Sequence, residues 1–142
     1  VTVTPASAAG TVSSDQTICS GATPSNITLS GFTGSIQWQS STDNINFTPI
    51  SGQTAATLAG TAIGTLTTTS YFRAVVTSGS CAPATSGVVT VTVNSNVSPT
   101  FTPVATLCAG DTAPALPSQS LESITGTWSP AVIDNQTSGI YT

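Results

Sequence analysis

Apolar residues along this chain recur mostly at every second position, in short runs broken by glycine, proline, serine and threonine. Val89, Val91 and Val93 alternate with Thr90 and Thr92, the period expected of a strand with one face buried. Ser35-Ile36-Gln37-Trp38-Gln39-Ser40 alternates likewise, putting Ile36 and Trp38 on one face and Gln37 and Gln39 on the other. Tyr71 to Thr77 is the strongest strand, with Phe72, Ala74 and Val76 on one face and Tyr71, Arg73 and Val75 on the other. Ile27-Thr28-Leu29 reads as a shorter strand. The polar tip from Ser41 to Asn46 turns the chain into Phe47–Ile50 as a hairpin, Thr57-Leu58 begins an edge strand, and Gly87 to Val93 closes the set. Nine prolines, twelve glycines and many β-branched residues interrupt every window long enough for a helical stripe. The expected fold is all-β, a sandwich of two sheets.

A second pattern lies over the first. Cys19-Ser20-Gly21-Ala22-Thr23-Pro24, with Trp38 nineteen residues after its cysteine, returns as Cys108-Ala109-Gly110-Asp111-Thr112-Ala113-Pro114, with Trp128 twenty residues on. The spacing from Cys19 to Cys108 is 89 residues, the size of one β-sandwich module. Residues 94–103 hold two prolines and no alternation, marking a boundary. Three segments are therefore expected: 1–8 as the tail of a preceding repeat or a linker, 9–95 as a complete sandwich, and 96–142 as the first part of a second repeat. Within the first, residues 1–4 resemble the strand around Val91-Thr92-Val93. Trp38, Phe72 and Trp128 are expected in the cores, and the chain reads as a piece of a longer repeat array.

Composition narrows the function. Only 4% of residues are charged, Arg73 is the sole cation, and lysine and histidine are absent, so nothing basic could hold a nucleic-acid backbone. Ser/His, Cys/His and Ser/Lys pairs cannot be assembled, and five scattered carboxylates leave little from which to build a catalytic site. No enzymatic activity and no cofactor are expected. No run of eighteen apolar residues could insert into a membrane. Serine and threonine supply 49 of 142 residues, so hydroxyls rather than ions make the surface polar.

The three cysteines in such an ion-poor β chain point to an oxidising compartment and to a bridge between Cys19 and Cys81, both of which flank turn sequences. Closing that loop would stabilise the fold by about 4 kcal/mol. Cys108 then occupies the Cys19 position of the next repeat, its partner lying beyond Thr142. Asp43, Asn44 and Asn46 offer oxygen atoms on a hairpin tip as calcium loops do, although the same residues also favour tight turns, and one carboxylate supplies little charge. Asn26, Asn46, Asn96 and Asn135 each begin an Asn-x-Ser/Thr glycosylation signal.

The segments Trp38-Gln39-Ser40-Ser41-Thr42-Asp43-Asn44-Ile45-Asn46-Phe47-Thr48-Pro49-Ile50 and Thr69-Ser70-Tyr71-Phe72-Arg73-Ala74-Val75-Val76-Thr77-Ser78-Gly79-Ser80-Cys81 resemble the Ig-like repeats of very large surface proteins in Bacteroidota. Thr125-Gly126-Thr127-Trp128-Ser129-Pro130 and Gly139-Ile140-Tyr141-Thr142 look like a companion repeat of the same proteins. Such repeats occur in long gliding-motility adhesins exported by the type IX secretion system. The resemblance implies an outer-surface location, with neighbouring repeats and surface polysaccharide as partners. It also implies O-glycosylation at Thr112, which lies in the Asp111-Thr112-Ala113 pattern. The function expected is a non-catalytic stalk or adhesion module, the alternatives being a filament or sheath subunit and an accessory carbohydrate-binding domain of a secreted enzyme.

Overall fold

The computed structural model describes residues 3–136 and 139–140, and the chain divides into two compact units, Val1–Asn96 and Val97–Thr142. In the first unit the strands are β1 (Thr11–Val12), β2 (Gln16–Cys19), β3 (Ile27–Ser30), β4 (Ser35–Ser41), β5 (Thr48–Pro49), β6 (Thr57–Leu58), β7 (Ser70–Thr77), β8 (Ala84–Thr85) and β9 (Val89–Asn94). They form a three-stranded sheet, β1-β3-β6, and a six-stranded sheet, β2-β9-β7-β4-β5, with β8 pairing alongside β7. All pairings are antiparallel except that of β2 with β9, which is parallel. The fold is an all-β sandwich.

The alternation along the strands decides which faces meet. Ile27, Leu29 and Leu58 from the smaller sheet join Ile36, Trp38, Phe72, Ala74, Val76, Val89 and Val91 from the larger in one buried cluster. In β7 every second residue is buried, so Tyr71, Arg73 and Val75 take the outer face. Trp38 is fully enclosed and its indole Nε1–H donates to the Ala55 carbonyl at 2.9 Å, leaving no polar atom of the ring stranded. On the outer face the Arg73 Nε–H donates to Gln39 Oε1 at 2.8 Å, and the guanidinium lies 3.9 Å from the centre of the Phe47 ring, a cation–π contact.

Two features had no counterpart in the alternation. β1 and β2 come from one short segment that leaves the smaller sheet at Ser13, whose N–H donates to the Thr28 carbonyl, and joins the larger at Gln16. Asp15 sits at the crossing and accepts the Thr90 N–H at 2.8 Å. A single helical turn, α1 (Gly60–Ile63), also forms where no helix was expected. Its start is fixed by close approach: a Cβ on Gly60 would lie 1.9 Å from the Pro24 carbonyl oxygen, and the Gly60 N–H donates to Asn26 Oδ1.

A strand over residues 1–4 would belong to a preceding repeat and find its partner there. Residues 1 and 2 lie outside the described residues, and Val3 and Thr4 are in no strand. Further along, Ser7 Oγ accepts the Ser78 N–H, and Ala8 forms a bridge with Thr33, so residues 7 and 8 are fastened to the first unit itself.

The second unit differs from a half sandwich. Among its described residues there is one isolated bridge, Gln119 with Thr125, and no strand. Trp128, expected in a core, is half-buried: its Nε1–H donates to the Pro117 carbonyl, and its ring lies 4.5 Å from that of Phe101 at 60°. In a β-sandwich a tryptophan is enclosed where two sheets close over it, and no such pair of sheets exists among the described residues of this unit.

Candidate functional site

The cysteine framework folds into the same turn twice. Ala22 N–H donates to the Cys19 carbonyl and Asp111 N–H to the Cys108 carbonyl, both at 3.0 Å, with Gly21 at φ 84° and Gly110 at φ 92°. A turn whose third residue has positive φ requires glycine there, which is why Cys-x-Gly recurs. Each turn leaves its cysteine exposed.

The proposed bridge between Cys19 and Cys81 is absent, and both thiols are free. The register explains why. Cys19 stands opposite Asn94, three residues beyond Val91, which itself pairs with Ser70 at the start of β7. Cys81 follows the other end of β7, in a turn where its N–H donates to the Ser78 carbonyl and its thiol donates to the Pro5 carbonyl at 3.6 Å. The length of β7 alone, at about 3.3 Å per residue, separates these two ends by more than 20 Å, roughly three times the Cα–Cα distance a disulfide tolerates.

The same register sets where the chain comes in and goes out. Thr4 lies against Gly79, and Ser7 is bonded to Ser78, so the N-terminal segment meets the module at the far end of β7. The chain leaves after Asn94, whose carbonyl accepts the Ser20 N–H, and Asn96 Nδ2 donates to the Ser20 carbonyl. The module therefore has an N-terminal pole carrying Cys81 and a C-terminal pole carrying Cys19.

A family model matches residues 8–95, more than half of the chain. The chain belongs to the family described as Domain of unknown function (DUF8696). Its matched span starts at the Ala8–Thr33 bridge and ends just past β9, so the DUF8696 domain holds both sheets and both poles. No curated protein and no solved structure matches the chain.

The C-terminal pole of the DUF8696 domain also holds a cavity of about 390 Å³. Its lining combines the apolar Ile50, Ile63, Leu66 and Phe72 with the hydroxyl residues Ser40 and Thr48. Leu66 ties this cavity to the cysteine turn, because the Gly21 N–H donates to the Leu66 carbonyl and Ala22 forms a bridge with the same residue.

The calcium candidates Asp43, Asn44 and Asn46 are brought together at the tip between β4 and β5, but as a closed turn. Asp43 Oδ1 accepts hydrogen bonds from the Ser41 hydroxyl and from the Ile45 and Asn46 N–H groups, and Oδ2 accepts from Asn46 Nδ2 at 2.7 Å. These donors, led by the Asn46 side chain, hold the Asp43 carboxyl well below its ordinary value. A cation would have to displace them, and Asn46 presents its amide hydrogens rather than its oxygen to Asp43. Asn44 adopts φ 58°, the left-handed conformation that asparagine tolerates in turns. Among the described residues no group of three or more His, Cys, Asp or Glu could hold a metal ion.

The glycosylation candidates fall at scattered loops. Thr112, Asn26, Asn46 and Asn96 are exposed and Asn135 is half-buried. In Asn46, Asn96 and Asn135 the amide nitrogen that a glycan would take already donates, to Asp43, Ser20 and Asp111 respectively. Asn26 engages through its oxygen. Thr137, which completes the Asn135 signal, and Tyr141 and Thr142 of the companion-repeat segment lie outside the described residues.

Proposed function

We propose that the DUF8696 domain is a non-catalytic link in an extracellular array, an Ig-like stalk module of a large bacterial surface protein that holds an adhesive region away from the cell. The observation carrying this reading is the position of the poles: the chain comes in beside Ser78 and goes out beside Ser20, at opposite ends of the six-stranded sheet. A module threaded in this way adds its length to whatever it joins, and successive copies stack end to end. Support for the Ig-like architecture comes from the two-sheet strand order and from the tryptophan buried in β4, an inner strand of the larger sheet between β7 and β5. The parallel β2–β9 pair adds a mechanical argument. Tension applied at the two poles pulls these neighbours in opposite directions along their length, so their hydrogen bonds are loaded together rather than one at a time.

Force spectroscopy on the chain held at its two ends tests the link. The first unit should give way in one cooperative event, releasing about 300 Å of chain at roughly 3.4 Å per residue over the matched span. Gradual lengthening at low force would overturn the reading. Location is tested by antibody labelling of intact source cells, where signal seen only after permeabilisation would rule out a surface role.

A further inference from the structure

We propose that the outer face of the six-stranded sheet, around Arg73, binds the carboxylate of an acidic sugar residue, a uronate carried by a polysaccharide. Arg73 is the chain's sole cation against five carboxylates, yet among the described residues none of those carboxylates pairs with it. Two contacts hold it in place instead: its Nε–H donates to Gln39 Oε1 at 2.8 Å, and the guanidinium carbon lies 3.9 Å from the centre of the Phe47 ring. Both Nη groups are left without an acceptor among the described residues. No buried side-chain nitrogen there lacks a partner, so these two groups reach solvent.

The guanidinium is mounted in a fixed orientation. Asp43 closes the tip between β4 and β5 by accepting from Ser41, Ile45 and Asn46, and Phe47 follows directly on that turn. Gln39 stands opposite Arg73 in the β4–β7 register and engages its Nε. A guanidinium held at Nε and stacked on one face keeps its two Nη groups projecting together, the end-on fork that a carboxylate meets with two parallel hydrogen bonds. Because Asp43 is already saturated by the donors of its own turn, it leaves that fork to an anion from outside. A side chain ordered in advance also gives up little further freedom on binding.

Neighbours on the same face decide what carries the carboxylate. Tyr71 stands two residues along β7 from Arg73, about 7 Å away, and Gln37 two residues along β4 from Gln39, with the paired strands about 5 Å apart. Gln37 donates through Nε2 to the Trp38 and Ile50 carbonyls, and among the described residues its Oε1, the Gln39 Nε2 and the Tyr71 hydroxyl have no partner. A phenol, an amide donor and an amide acceptor spread around a guanidinium suit the hydroxyls around a sugar ring, each of which both donates and accepts. A peptide is served less well. β7 is flanked by β4 on one side and by β8 and β9 on the other, so its backbone offers no edge for a peptide strand to extend.

The experiment titrates the ¹⁵N-labelled full chain, followed by NMR, with a trimer of galacturonate, the same trimer methyl-esterified, a glutamate tripeptide and acetate. The galacturonate trimer should shift the Arg73 Nε–H resonance together with the Gln39 side-chain amide and the Tyr71 amide. It should bind roughly tenfold or more tightly than the methyl ester, which keeps the rings and lacks the charge. Arg73→Gln, which removes the charge, and Arg73→Lys, which keeps the charge without the fork, should each lose roughly as much, with the Ala74 and Val76 amides still protected from exchange. The comparison of trimer with ester is made on the unaltered chain, so it holds even where a variant fails to fold. No shift at Arg73, equal binding of the ester, or undiminished binding by folded Arg73→Lys overturns the proposal. A glutamate tripeptide bound as tightly as the trimer would assign the face to acidic peptides, and acetate bound as tightly would reduce it to contact with a bare anion; either result also overturns it. None of these readouts depends on how the module is threaded, so the stalk reading stands or falls separately on the force measurement.

Discussion

Replacing Trp38 by alanine should lower the stability of the first unit by about 3–5 kcal/mol, the range for truncating a fully buried tryptophan. Trp38 has no exposed surface and sits within the cluster that joins Ile36, Phe72 and Ala74 of its own sheet to Ile27, Leu29 and Leu58 of the other. Removing the indole therefore opens a void between the sheets that the close-packed surroundings fill only in part. The hydrogen bond to Ala55 adds little, since Ala55 is exposed and its carbonyl can turn to water. Trp38→Phe, which keeps one ring, should lose about 1–2 kcal/mol. A domain of this size has only about 5–15 kcal/mol in total. Urea unfolding followed by far-UV circular dichroism measures the loss: at about 1–3 kcal/mol per molar urea, Trp38→Ala moves the midpoint down by at least about 1 M. Hydrogen exchange at Ala74 and Val76 reports the same loss in the first unit alone. Trp128→Ala is the control, because that ring is half-buried against Phe101 and should leave those amides as protected as before. A Trp38→Ala loss below about 1 kcal/mol, or a first unit weakened by Trp128→Ala, would refute the reasoning.

Ser86→Ala should cost about 1–3 kcal/mol, because Ser86 Oγ accepts the buried Ala74 N–H and donates to the Gly87 carbonyl; urea melts check the size, and faster exchange at Ala74 checks the cause. Gly60→Ala should destabilise by about 1–3 kcal/mol through the contact with the Pro24 carbonyl, whereas Gly87→Ala, whose added methyl meets only Val12 at the ordinary distance of 3.7 Å, lacks that clash; a Gly60→Ala protein as stable as Gly87→Ala would count against the close approach. The Glu122 carboxylate accepts the hydroxyl and N–H of Thr100, which lowers its pKa from 4.5 to about 2. A carboxyl lowered on folding stabilises the fold fully above its unfolded value and loses that contribution as pH falls through the folded value, so the Thr100 amide resonance should be steady through pH 4.5 and titrate with its midpoint near 2. A midpoint near 4.5 would show that the contact does not form.

The all-β class, and the burial of Ile36, Trp38, Phe72, Ala74 and Val76 in β4 and β7, were legible because a strand writes its orientation into its own sequence with a period of two. The crossing of β1 and β2 between sheets was not. Two-residue β1 is too short to show alternation, and β2 acquires its identity by pairing with β9, which follows some seventy residues later. The Asp43 tip looked equally suited to a cation or to a turn. Which atoms its carboxylate meets depends on how the loop closes, and the loop closes on N–H groups.

By itself, then, the sequence determined local matters: which residues face inward, where Gly21 and Gly110 must turn the chain, and that one cation and no histidine leave little chemistry to build. The cysteines mark where this ends. Cys19 and Cys81 looked like partners because both flank turns, and only the antiparallel course of β7 and β9 sends them to opposite poles. Trp38 and Trp128 occupy matching places in the repeat, yet only Trp38 has two sheets closing over it. Spacing along a chain does not set distance in space, because each strand reverses or continues the path according to a partner that may be far away in sequence.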